Sequence, residues 1–109
     1  MVKFYSFDKR RFSPKERKEI KKKKITVYNF PKSINKRNYL GYAVKDEITF
    51  EKKNQRTILL KKNLRGRELK RTFWHEVAHF NLRKRGMDKK LKKREREIYC
   101  ERFARRRAG

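Results

Sequence analysis

The chain has two histidines, His75 and His79. They stand four residues apart, with Glu76 directly after the first, in Thr72-Phe73-Trp74-His75-Glu76-Val77-Ala78-His79-Phe80. On an α-helix an i, i+4 pair shares one face, so both imidazoles can grip one metal ion, with Glu76 about 100° round the same side. Neutral imidazoles suit zinc, bound at ~2.0–2.1 Å with one position open for water. Zinc held there would lower the pKa of that water and polarise a carbonyl, while Glu76 takes a proton and returns it to a leaving amine. The competing reading is a pair of core histidines bonded to backbone or to acidic neighbours. Two histidines and a carboxylate in a buried helix are costly without partners, and a metal supplies one.

A third ligand is needed, and no third histidine exists. Leu82 and Arg85 stand where the longer HExxHxxGxxH pattern would place its Gly and last His. The candidates are therefore a carboxylate or Cys100, the single cysteine. Glu97 and Glu101 are again i and i+4, and on a wheel they share an arc of about 100° with Cys100 and Ala104. Glu97 is the favoured metal ligand, with Glu101 hydrogen-bonding a histidine ring from behind. The reverse assignment stays open, as does ordinary surface pairing with Arg94 or Arg105. Cys100 reads first as a small packing residue.

The elements that must position these groups are legible in outline. Residues 67–84 contain no Gly or Pro, and Leu69, Phe73, Val77 and Phe80 form one stripe with Trp74 and Ala78 beside it. In a chain that is 45% charged, a helix so apolar must be the central one. Gly86 suits its C-terminal stop, and Asp88 suits a cap for a last helix over about 89–107. Ser13-Pro14-Lys15-Glu16 reads as a capped helix start, running to about Lys22, with Phe4, Tyr5, Phe7 and Phe12 as anchors before it. Strand-like runs follow at 25–30, 39–44, 47–51 and 56–60, the last three at hairpin spacing. The order implies one α+β domain over 1–109, with its core at about 25–107 and 1–24 as an N-terminal segment. A three- to four-stranded antiparallel sheet packs against the central helix and the C-terminal helix.

Composition bounds the rest. The 109 residues include 37 Lys or Arg against 12 Asp or Glu, a formal charge of +25, and only 35% are apolar against a usual ~45–50%. One cysteine excludes a disulfide framework and a Cys-rich zinc finger. No apolar run approaches the ~20 residues of a membrane span, and the first residues lack a signal peptide's apolar stretch, so a cytoplasmic protein without a membrane partner is expected. The basic excess points to a polyanion such as nucleic acid, through runs such as Lys21–Lys24, Arg83-Lys84-Arg85, Lys89-Lys90, Lys92-Lys93-Arg94 and Arg105-Arg106-Arg107. Tyr28, Tyr39 and Tyr42 could stack on bases, although strand aromatics are more often core.

His75-Glu76-Val77-Ala78-His79 is preceded by short strands and followed by Glu97-Ile98-Tyr99-Cys100-Glu101-Arg102-Phe103-Ala104. Over about residues 39–104 this resembles the minimal gluzincin metallopeptidases of the ImmA/IrrE type and their small phage and mobile-element relatives. The resemblance implies a zincin-like fold and a zinc peptidase that often acts on a DNA-binding regulator. Those families often carry Glu-x-Glu-Ala, and Tyr99 takes the second Glu position, which leaves Glu97 as the better match for the ligand. The expectation is a peptidase with Zn2+ on His75, His79 and Glu97, Glu76 as base, Glu101 behind, and a protein or peptide substrate. The alternative is a basic nucleic-acid-binding protein whose zinc is structural or catalytically inactive. A strand at 47–51 or 56–60 would be the place for an extended peptide to add to the sheet.

Overall fold

The computed structural model describes residues 5–30, 40–43 and 56–108. After a single 3-10 turn at Lys9–Arg11, helix α1 spans Pro14–Lys22. Its start follows from the residues there. Pro14 takes the first helical position, while the Ser13 N–H and hydroxyl donate to Glu16 Oε1 at 3.3 and 2.6 Å. The other Glu16 oxygen accepts from Trp74 Nε1 at 3.3 Å, and Glu16 is 1% exposed. The capping residue is thus also a buried tie between α1 and the histidine-bearing helix.

Three strands follow among the described residues: β1 Ile25–Asn29, β2 Gly41–Ala43 and β3 Arg56–Leu60. The candidate at 47–51 lies outside them. The sheet order is β1-β3-β2; β1 runs parallel to β3 from Ile25↔Arg56 to Asn29↔Leu60, and β2 runs antiparallel to it from Gly41↔Leu60 to Ala43↔Ile58. The sheet is therefore mixed, and the expected antiparallel meander is corrected. Burial gives the reason, since Ile58, Leu59 and Leu60 are all buried and β3 is covered on both faces, as a central strand must be. The free side of β1 is partly closed by residues 5–7, through Phe7 N–H to Val27 O (3.0 Å) and Asn29 N–H to Tyr5 O (2.8 Å).

Helix α2 spans Gly66–Lys84 and α3 spans Lys93–Ala108. The expected stripe is the buried face of α2: Leu69, Phe73 and Val77 are at most 1% exposed, and Phe80, Trp74 and Ala78 are buried with them. At its end, Gly86 (φ +70) donates to Arg83 O and Met87 to Leu82 O, the paired bonds of a Schellman stop. The last helix begins four residues later than expected, and Asp88 does not cap it. The Asp88 carbonyl accepts from the Arg96 guanidinium at 2.8 Å, and the new helix opens with Lys92 N–H donating to Glu95 Oε1 at 3.0 Å.

The core is not confined to residues 25–107. Phe7, Phe12 and Ile20 join Val27, Ile58, Leu60 and the α2 stripe in one cluster, with Phe12 and Phe73 rings 5.2 Å apart. A smaller cluster of Ala78, Leu82 and Cys100 fastens α3 to α2. No helix among the described residues is long and apolar enough to cross a membrane.

Candidate metal centre

Four residues are a little more than one helical turn, so His75 and His79 share one flank of α2, and both line a cleft with β2 and α3. Each is half-buried, and their ring centroids are 5.0 Å apart. The hairpin formed by α2, the Gly86 stop and α3 sets Glu97 opposite both rings. Glu97 Oε2 lies 3.1 Å from His75 Nε2, and Glu97 Oε1 lies 3.4 Å from His79 Nε2. Donors on a tetrahedral ion with ~2.0–2.1 Å bonds are about 3.3 Å apart, so each Glu97 oxygen stands at ligand separation from one of the two imidazoles.

Glu101, one turn further along α3, approaches the opposite edge of His75. Its Oε1 is 2.8 Å from His75 Nδ1, an ion-pair contact rather than an aligned hydrogen bond. Arg71 holds the other Glu101 oxygen at 3.8 Å. Sequence reasoning left Arg71 out, although its position four residues before His75 places it on the same helical row.

Cys100 lies beneath the histidines, fully buried between the helices. Its sulfur and one nitrogen from each histidine are mutually within 4.8 Å, so His75, His79 and Cys100 could hold a metal ion. Burial, and then the neighbouring carboxylates led by Glu97, push the thiol up to about 12. His79 is driven the other way, down to about 4, by burial and by His75 beside it. It is a neutral imidazole at pH 7, with a lone pair to give.

Glu76 is 5% exposed and lines the same cleft, of about 970 Å³, whose floor is α2 and whose walls are α3 and residues 40–42. Gly41 explains how β2 comes so near. A Cβ there would stand 2.7 Å from Thr72 Cγ2 and 3.2 Å from Glu76 Cγ, so only glycine lets the strand settle on the helix at this point. Its signal in the sequence was a lone glycine inside a strand-like run.

The structure thus brings together His75, Glu76, His79, Glu97, Glu101 and Cys100. Tyr99 is not among the residues that line the cleft; its ring lines a different groove and stacks on Phe103 at 6.4 Å. Residues 56–60 cannot receive a peptide by strand addition, since β3 is paired on both sides. The strand at the cleft is β2, with Leu40 and Tyr42 exposed beside it. Compared with family models, with curated proteins and with solved structures, the chain matches none.

Proposed function

We propose that this chain is a zinc-dependent metallopeptidase in which His75, His79 and Glu97 hold the ion. The observation that carries the reading is the carboxylate of Glu97 placed 3.1 and 3.4 Å from two imidazole nitrogens, in the cleft that Glu76 lines. Zinc, when bound, supplies a Lewis acid and a water of lowered pKa.

The remaining roles belong to the chain. Glu76, on the helix between its two histidines, accepts a proton from the attacking water and passes it to the leaving amine. A structural site would have no use for such a base. Glu101 fixes the His75 ring from its Nδ1 side, leaving Nε2 turned toward Glu97. The outer edge of β2, unpaired among the described residues, offers backbone groups to an extended substrate directly above Glu76.

Elemental analysis of metal-replete protein should find about one zinc per chain. Chelation should stop cleavage of an unstructured peptide mixture, and added zinc should restore it. Zinc content near zero, or cleavage indifferent to the chelator, would sink the proposal. Cobalt substitution separates the two possible third ligands. Glu97→Ala should weaken cobalt binding strongly, whereas Cys100→Ala should leave the spectrum without change; a sulfur-to-cobalt charge-transfer band in the parent protein would transfer the role to Cys100.

A further inference from the structure

We infer that the outer face of α3, on the side away from the cleft, is a binding groove for single-stranded nucleic acid. This inference does not depend on the proposed hydrolysis. Glu97 and Glu101 turn toward α2, while Arg102, Arg105 and Arg106, at i, i+3 and i+4, form one row on the other side. That row edges a second concavity, of about 880 Å³, with Arg85 on its far rim.

None of these four arginines has a carboxylate within 4 Å among the described residues. The one acid lining the groove, Glu95, accepts the Lys92 N–H at the start of α3. Complementing the negative helix ends accounts for Arg105 and Arg106 in the last turn of α3 and for Arg85 at the C-cap of α2, but not for Arg102, which lies before that last turn. Arg107, by contrast, is turned inward over the Trp74 and Phe103 rings, at 5.8 and 5.3 Å, and belongs to the fold.

The floor selects among polyanions. Ile98 is 44% exposed at its centre, beside half-buried Tyr99 and Leu91. A duplex presents phosphates and would leave that apolar floor uncovered, whereas a single strand lays bases on it while its phosphates meet the arginines. A row of cations about one helical turn long fits a partner whose charge repeats at every unit, and the +25 net charge draws any such strand in. A second copy of the chain is disfavoured by the same charge.

Fluorescence anisotropy of a labelled short oligo-dT tests this on the full chain. The triple variant R102A/R105A/R106A should lose at least about tenfold in affinity, with the log–log salt slope falling by about 2, three single-strand phosphate contacts at ~0.7 each. K18A/K21A/K22A, which removes the same charge from the exposed face of α1, should lose much less. Ile98→Asp should weaken oligo-dT and leave a duplex of equal length nearly unchanged. Unaltered melting and metal content show that each variant is folded. Equal losses from the two triple variants would reduce binding to diffuse charge and overturn the assignment. Poly-glutamate displacing oligo-dT at equal charge would overturn it in favour of an acidic protein partner, and indifference of single-strand binding to Ile98→Asp would remove the groove's role.

Discussion

Glu16 and Glu76 are both buried, at 1% and 5% exposure, the first bonded to α2 and the second carried by it, yet their surroundings differ in kind. Glu16 is held by fixed donors, the Ser13 N–H and hydroxyl on one oxygen and Trp74 Nε1 on the other. It joins two helices away from either groove. Glu76 lines a cleft, flanked by two imidazoles and faced by Glu97 and Glu101 across it. Five of the twelve acidic residues of this basic chain line that cleft beside five of its 37 Lys and Arg, so the cationic excess of the rest of the chain is cancelled there. A carboxylate consumed by its own donors stabilises a fold; one gathered with histidines and other acids concentrates negative charge where a cation can sit.

The sharpest separation of the two comes from substitution. Glu76→Gln should lower kcat for peptide cleavage by about 10²–10⁴-fold while zinc content and melting temperature stay as they are. Activity surviving in that variant would put the base elsewhere. A smaller effect is expected from Glu101→Gln, which should weaken zinc by about 10–100-fold through the His75 ring, as measured by chelator competition. Glu16→Ala reverses the pattern. Stripping Ser13 and Trp74 of their acceptor should cost about 1–3 kcal/mol of stability in denaturant melts, with zinc affinity unchanged. If Glu16→Ala also changed zinc affinity, the two regions would be coupled and the contrast drawn here would fail. Least of all should follow from Arg71→Ala, since its contact with Glu101 is 3.8 Å long and about half-exposed, worth under about 1 kcal/mol in either assay.

What was readable in the sequence were features with a short-range cause. The capped start of α1 needs only residues 13–16, the buried stripe of α2 needs only helical spacing, and the pairing of His75 with His79 follows from the same period. The meeting of Glu97 with both histidines was approachable because both helices have one period and a short connection between them. The partner order of the sheet was not, because a parallel β1–β3 pair is fixed by burial of β3 on both faces and not by the spacing of strand-like runs. The start of α3 has no local signal for a similar reason, since Arg96, eight residues on, donates to the Asp88 carbonyl. The approach of β2 to Glu76 depends on one missing methyl group at Gly41, a contact with no periodic signature.

The Schellman stop at Gly86 has a mechanical consequence. It turns the chain so that every donor, from His75 to Glu101, belongs to a single helical hairpin, whose arms also pack through Ala78, Leu82 and Cys100 and, further along, through Trp74, Phe103 and Ala104. An ion between the arms would act as a clasp. Its removal should let the C-terminal arm exchange its amide hydrogens faster than the sheet does, so the metal would govern the hinge as well as the chemistry.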